Sequence, residues 1–333
     1  MHLQLQGFFI LSFRALCMVL PKTSGGMAQV YFCRFLGIVF KTGRIEYEAH
    51  VYRTLTSSPG QRPPKSLVCC YAHIRCVRAL VLHDCGRSTL SNYIYSGVPP
   101  MSINTVVDSA LRILEALQYL HKLGFVHGDV KPANCCYGPN GVTLIDIGNS
   151  WKQGSSEKPP ANSNYLYLPP ELMIDDDPIP SPHGDLWGVG IILYQLIEQS
   201  FPFGNDVLSS TTLNMLRCYA KHEYRDRKPT FNGRVHPIHS IIAKMLSFDR
   251  SDRYPTAEAV LHDLWKNVHK EKMRTTLRLI GTLRIGYYAP YLGQQRHRRC
   301  EARSQAARTR RREGAVRRQV APAYGPHLAI EGQ

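Results

Sequence analysis

The sequence predicts a two-lobed α+β fold, with a small strand-rich lobe followed by a larger helical lobe. Residues 29–41 are rich in Val, Ile, Phe and Tyr, which favours strands. Residues 103–123 instead carry apolar side chains at helical spacing. Strands that come first and helices that follow are typical of α+β proteins. A chain of 333 residues, of which 44% are hydrophobic and 20% charged, is ordinary for a globular protein and excludes a collagen, a coiled coil or a wholly disordered chain.

The first lobe continues beyond the strands at 29–41. Apolar residues at helical spacing predict a helix over residues 46–55. A polar stretch rich in Pro and Gly predicts a loop at 57–64, and two more strands are expected at 67–74 and 76–82.

The second lobe is predicted to be mainly helical. After the long helix at 103–123, residues 134–147 return to short strands around a Pro-Asn-Gly turn. Residues 149–184 are rich in proline and should form loops. Further helices are expected at 186–195, 238–246 and 257–265.

These patterns divide the chain into three parts. Residues 1–26 are an apolar N-terminal extension, and residues 27–265 form the main domain, with its lobes at about 27–85 and 86–265. Residues 266–333 are a basic tail, predicted to be partly disordered, with 16 Lys and Arg against four Asp and Glu. Most of the net charge of +16 therefore belongs to the tail and not to the folded domain.

The compartment follows from the cysteines and the apolar N-terminus. Ten cysteines without a CxxC pair predict reduced thiols, which favours an intracellular protein of the cytoplasm or the nucleus. The apolar run at 7–20 is interrupted by Arg14 and is short for a bilayer. A buried or poorly ordered extension is therefore favoured over a membrane or secretory element, and no stable membrane span is expected.

The chemistry is concentrated in two motifs. Residues 127–134 read HGDVKPAN, and residues 146–148 read DIG at the end of a strand-like run. Phosphoryl transfer from ATP needs one carboxylate at the acceptor hydroxyl, oxygen ligands for Mg²⁺ and a cation that offsets the charge of the moving phosphoryl group. The two motifs together supply these groups.

In order and spacing, these motifs resemble those of the eukaryotic protein kinase superfamily. The likeness continues at residues 167–171, 185–190 and 249–257, and it implies the two-lobed protein kinase fold with ATP and Mg²⁺ as cofactors. By this resemblance Asp129 and Lys131 are the catalytic residues, and Asn134 and Asp146 hold the metal. A lysine two positions after the catalytic aspartate resembles the catalytic loop of the serine/threonine branch of the family. The resemblance therefore implies protein substrates with Ser or Thr.

The same resemblance assigns the nucleotide site in the first lobe. Lys41 would contact the phosphates and pair with Glu48, although Lys22 and Glu46 are rivals for these roles. The remaining implied contacts are Gly25 and Val30 around the phosphates, Leu82 behind the adenine, and the backbone of His83 and Cys85.

Several departures from the family pattern bear on function. The glycine-rich loop keeps only Gly25, with Thr23 and Ala28 at the other two positions. The spacings from Val30 to Lys41 and from Lys41 to Glu48 are short. Gly128 stands where the family has an arginine that grips an activation-loop phosphate, so this switch is expected to be absent.

Four functions are compatible with these residues. An active, divergent serine/threonine protein kinase is favoured, and kinases with such reduced motifs occur in viruses and in fast-evolving eukaryotic families. A pseudokinase that acts as a binding or scaffold module would explain the poor glycine loop. A small-molecule phosphotransferase shares an HGD loop but not the downstream motifs, and nucleic-acid binding as the main activity is the fourth.

The tail has its own candidate partners. Arginine is densest at 308–312, a composition that suits nucleic-acid binding or recognition by an import receptor. A solvated disordered tail without a dedicated partner is the alternative.

Overall fold

The structure is a computed structural model that describes residues 2–25, 28–57, 62–156, 165–174, 179–205, 224–233 and 235–269. Within this part the chain has the two lobes expected of an α+β protein. Residues 157–164 and the basic tail beyond residue 269 lie outside the described residues.

A five-stranded antiparallel sheet forms the first lobe. Its strands are β1 (Lys22–Gly25), β2 (Ala28–Cys33), β3 (Ile38–Gly43), β4 (Cys70–Ile74) and β5 (Ala79–His83), in the spatial order β1-β2-β3-β5-β4. The sheet thus begins at Lys22, ahead of residue 27, where the sequence placed the start of the domain. The short spacing within the β2–β3 hairpin is accommodated by a tight turn that ends at Gly37, whose φ of 64° favours glycine.

Alternation along β3 gives this sheet two different faces. Val39 points to the inner face and joins the main core, whereas Phe40 points to the outer face. On the inner side lies helix α2 (Glu46–Ser57), whose buried Tyr52 and Leu55 pack in the same core as Val39. The inner face is therefore the one that can carry a site between the lobes.

The outer face is covered by an N-terminal helix, α1 (His2–Val19). Phe13 is 9% exposed and meets the Phe40 ring edge-on, with centroids 5.2 Å apart. Leu16 and Cys17 pack against the same small cluster. Part of the apolar extension is thus a helix packed on the sheet, and none of the helices in the described residues is long and apolar enough to cross a membrane.

The second lobe is built from helices around two short sheets. Its helices are α3 (Leu90–Ile94), α4 (Ile103–Lys122), α5 (Pro170–Ile174), α6 (Pro182–Glu198), α7 (Pro237–Met245) and α8 (Ala257–Leu264). The short strands are β6 (Ser88–Thr89), β7 (Phe125–Val126), β8 (Cys135–Gly138), β9 (Gly141–Leu144) and β10 (Trp151–Lys152). Strand β8 pairs with β6 and β9, and β7 pairs with β10.

Helix α6 lies in the core of this lobe. Its side chains from Asp185 to Leu196 are buried, because the segment is apolar on nearly every side. Helices α4 and α7 pack against it, and the loop that carries the HGDVKPAN motif is hydrogen-bonded to its N-terminal end. The buried helix is thus the support on which the candidate site rests.

Phe13→Ala should lower the free energy of unfolding by about 3 kcal/mol, because it removes a buried ring from the contact between α1 and the sheet. Urea denaturation followed by circular dichroism measures this change. Leu11→Ala on the same helix is the matched control, since Leu11 is 67% exposed. Equal stability of the Phe13→Ala and Leu11→Ala proteins would show that α1 does not stabilise the sheet.

Candidate active site

Lys41 of the first lobe forms ion pairs with a residue of each lobe. Its Nζ lies 2.7 Å from Glu48 Oε2 and 2.7 Å from Asp146 Oδ1. The short chain between Lys41 and Glu48 suffices because α2 begins at Glu46, so Glu48 lies in the first turn of the helix. The rival residues lie elsewhere: Glu46 pairs with Arg78 at 3.1 Å, and Lys22 is exposed.

Burial and charge compete within this triad. Burial raises the pKa of Glu48 to about 7, against the opposing effect of the Lys41 ammonium. Burial alone would lower the pKa of Lys41 and raise that of Asp146. The ion pairs outweigh burial at both groups, so the pKa of Lys41 is raised and that of Asp146 is lowered. Asp146 is therefore held as a carboxylate, while Glu48 is the member whose ionisation is costly.

The stability of the protein should consequently depend on pH through Glu48. A carboxyl whose pKa is raised in the folded state contributes stability below its ordinary pKa of 4.5 and loses that contribution as the pH rises through about 7. Glu48→Gln cannot ionise. We therefore expect its free energy of unfolding, relative to wild type, to improve by about 3 kcal/mol between pH 4.5 and pH 7.5.

Urea titrations at pH 5, 6, 7 and 8 measure this difference. Glu46→Gln is the matched control, because Glu46 lies on the same helix turn with an exposed side chain. A difference between wild type and Glu48→Gln that stays constant with pH would contradict the expectation.

The loop at 127–134 is held by Asp185 at the start of α6. Asp185 Oδ2 accepts the backbone N–H of His127 at 2.8 Å, and Oδ1 accepts that of Gly128 at 2.9 Å. His121 Nε2 lies 2.7 Å from the same carboxylate. Because Asp185 is 2% exposed and fully engaged, it fixes the loop backbone and does not act on a ligand.

Asp129 lies at the centre of this loop, next to its expected partners. Lys131 Nζ donates to Asp129 Oδ2 at 2.7 Å, and Asn134 Nδ2 donates to the same oxygen at 3.0 Å. Asn134 Nδ2 also donates to the backbone oxygen of Asp129 at 2.9 Å. The three residues that the sequence grouped together are thus brought into one hydrogen-bonded cluster.

The residues expected to hold a metal have oxygens suited to it. The amide nitrogen of Asn134 is committed to Asp129, so the amide oxygen faces away from that carboxylate. The backbone N–H of Ile145 donates to the backbone carbonyl of Asn134 at 2.9 Å, which places Asn134 beside the strand end that carries Asp146. Asp146 has a left-handed backbone with a φ of 61°. One carboxylate and one amide oxygen fit Mg²⁺, which binds proteins through few carboxylates and completes its shell with phosphates.

Three of the expected nucleotide residues, Val30, Lys41 and Leu82, lie on the inner face of the sheet. Val30 lies directly opposite Lys41 in the β2–β3 register, and Leu82 is paired with Val39. Val30, Val39 and Leu82 contribute to the main apolar core, which suits a flat apolar ring. Gly25 ends β1 and pairs with Ala28 at the tip of the hairpin.

At the end of β5, the chain turns at His83 and Cys85. His83 N–H donates to the Cys69 carbonyl at 2.9 Å, so this N–H is not available to an adenine, and the His83 carbonyl accepts the Cys85 thiol at 3.6 Å. The side chain of His83 is turned outward, where Nδ1 lies 2.9 Å from the Tyr71 hydroxyl. Cys85 is partly buried against the main core, and burial raises the pKa of its thiol to about 12, so it stays protonated.

A buried ion pair closes the downstream part of the site. Arg253 Nη1 and Nη2 each donate to a different oxygen of Glu171 at 2.8 Å. The Arg253 guanidinium also lies over the Trp187 ring, 4.7 Å from its centroid. This pairing links Glu171 of α5 to Trp187 of α6 through the Arg253 guanidinium.

Comparison with known sequences agrees with this geometry. A sequence model described as the protein kinase domain matches residues 69–266, which is more than half of the chain. The chain belongs to the protein kinase family. The match covers the HGDVKPAN and DIG motifs and the ion pair of Arg253, and strand β3, which carries Lys41, lies ahead of it.

Individual relatives are distant kinases. The chain is 30% identical over 160 residues to the liver/testis gamma catalytic chain of phosphorylase b kinase from Rattus norvegicus, which is 46% of this chain and 38% of that protein. It is 30% identical over 173 residues to myosin light chain kinase family member 4 from Mus musculus, which is 50% of this chain and 43% of that protein. A probable serine/threonine-protein kinase of Streptomyces coelicolor is 26% identical over 223 residues, which is 65% of this chain and 32% of that protein. The kinase thus spans less than half the length of these relatives.

Two residues near the site were not found from the sequence. Tyr52 is buried in α2, and burial, together with the Glu48 carboxylate, raises the pKa of its hydroxyl. Asn149 donates to Asp129 from the turn after Asp146. Only the position of Asn149, directly after the DIG motif, was a signal in the sequence.

Proposed function

We propose that this kinase is an active, Mg²⁺- and ATP-dependent serine/threonine protein kinase. The observation that carries the proposal is the pair of contacts made by Lys41, which meets Glu48 and Asp146 at 2.7 Å each. A scaffold without catalysis has no need of this buried charge arrangement, since burying Glu48 costs free energy.

Each residue of the site has a role in this reaction. Asp129 accepts the proton of the substrate hydroxyl, and Lys131 offsets charge on the phosphoryl group that moves past it. Lys41 contacts the phosphates, while Gly25, Val30, Leu82 and the backbone of His83 and Cys85 enclose the nucleotide. Asn134 and Asp146 would hold Mg²⁺, which when bound neutralises phosphate charge.

Preference for Ser and Thr is supported by Lys131. Its Nζ lies 2.7 Å from Asp129 Oδ2, on the catalytic carboxylate itself, where it can follow the phosphoryl group to the acceptor oxygen. A relative named as a probable serine/threonine-protein kinase is consistent with this preference.

The experiment is phosphorylation of a generic basic protein by the purified chain with radiolabelled ATP and Mg²⁺, followed by phosphoamino-acid analysis. We expect label on Ser or Thr. Nucleotide binding without any transfer would favour the pseudokinase, and label on a small alcohol or amine in place of protein would favour a small-molecule phosphotransferase.

For the Arg-rich tail we propose a nucleic acid or an import receptor as partner, in a kinase of the cytoplasm and nucleus. Deletion of residues 294–333 removes most of the positive charge of the tail and none of the site residues. We expect peptide phosphorylation to survive, while RNA or DNA retention at low salt and nuclear accumulation of a fluorescent fusion decrease. Unchanged retention and unchanged accumulation would show that the arginines serve neither partner.

A further inference from the structure

Asn149 reaches the catalytic carboxylate from outside the catalytic loop. It ends the short turn Ile147–Asn149, and its Nδ2 donates to Asp129 Oδ2 at 3.2 Å. Lys131 and Asn134 donate to the same oxygen at 2.7 and 3.0 Å. Among the described residues, every side-chain hydrogen bond to this carboxylate ends on Oδ2.

Three donors on one oxygen fix the rotation of the carboxylate and leave Oδ1 to accept a proton. We propose that Asn149 is a positioning residue that aims Oδ1 of Asp129 at the acceptor hydroxyl. The inference rests on the proposed kinase activity and adds a third orienting group, which comes from a different segment of the chain than Lys131 and Asn134.

Gly128 makes this contact sterically feasible. Its φ is +76°, and a Cβ at this position would lie 2.9 Å from the backbone oxygen of Asn149. A side chain at residue 128 would therefore push the turn away from the catalytic loop. Gly128, which replaces the arginine expected to bind an activation-loop phosphate, is thus also the residue that lets Asn149 approach. The orientation of Asp129 is therefore set by the fold and does not require a bound phosphate.

The test begins with Asn149→Ala in the full chain. A hydrogen bond to a charged group is worth enough to change a rate by about tenfold or more. We expect kcat to fall about tenfold, while KM for the peptide and the Kd of ATP stay within about twofold. Asn149→Asp has the same size but puts a second carboxylate beside Asp129, so kcat should fall further, by about a hundredfold. Asn140→Ala, at an exposed turn, is the matched control.

A double-mutant cycle decides whether Asn149 acts through Asp129. In an Asp129→Ala background, Asn149→Ala should leave the residual transfer unchanged, and a second tenfold loss there would overturn the proposal. So would a kcat within twofold of wild type for both Asn149 variants. The same cycle on urea midpoints needs no activity. Non-additive midpoint shifts support the contact, and additive shifts refute it, even if a wild type without transfer has already refuted the kinase proposal.

Discussion

Asp129→Ala should lower phosphoryl transfer by roughly 10²–10⁴, the range usual for a general acid–base group. Asp129 is 6% exposed and is surrounded by donors that hold its carboxylate in place. ATP affinity should stay within a few-fold, because the proposed contacts to the nucleotide are made by Lys41, the β5 turn and the proposed metal residues and not by Asp129. Turnover and nucleotide affinity must therefore be measured side by side, by radiolabel transfer and by isothermal titration.

Two further variants make this test specific. Asp129→Asn keeps the size of the side chain and removes the base, so it should lose transfer as the alanine variant does. Asp108→Asn changes an aspartate that pairs with Arg112 on the surface of α4, and it should keep wild-type turnover. Equal, non-zero transfer by wild type and Asp129→Ala would eliminate Asp129 as the catalytic residue.

Asp146→Asn should lower transfer by about 10² or more, since a bound metal supplies several kcal/mol of charge stabilisation in the transition state. The fold should persist for two reasons. Asparagine tolerates the left-handed backbone at this position, and Lys41 keeps its ion pair with Glu48. The loss should therefore arise at the metal and not from unfolding.

Nucleotide affinity with and without Mg²⁺ separates these causes. In wild type, Mg²⁺ should strengthen ATP binding, and in Asp146→Asn this gain should shrink. Asp252→Asn, an exposed aspartate near α8, is the control for loss of charge alone. A folded Asp146→Asn protein with wild-type turnover would show that the metal is held elsewhere.

Local pattern was sufficient for most of the fold. The helices near residues 46–55, 103–123 and 186–195 were found because their apolar residues repeat at helical spacing, which reflects burial on one face or on all sides. The predicted bounds of the strands were less accurate, since strand ends depend on pairing partners that are distant in sequence. Strand β1, with four residues, has too little pattern to be recognised alone.

The partners of Lys41 show what spacing alone leaves open. Lys41 and Glu48 looked too close in sequence, and Glu46 was a rival two positions away. The tertiary structure selects Glu48 because α2 starts directly after β3 and turns Glu48 inward, while Glu46 faces Arg78. Side chains two positions apart on a helix point in different directions. The packed orientation of α2 therefore decides whether Glu46 or Glu48 meets the lysine.

The sequence by itself predicted the catalytic loop, the metal motif and the order of the lobes of this protein kinase. These are readable because their function requires fixed residue types at short, fixed separations. The tertiary structure alone decided that α1 packs on the sheet through Phe13, that Glu48 and not Glu46 pairs with Lys41, and that Asn149 contacts Asp129. Each of these depends on the relative placement of separate segments, which is set by the packing of the whole core and leaves little trace in any local pattern.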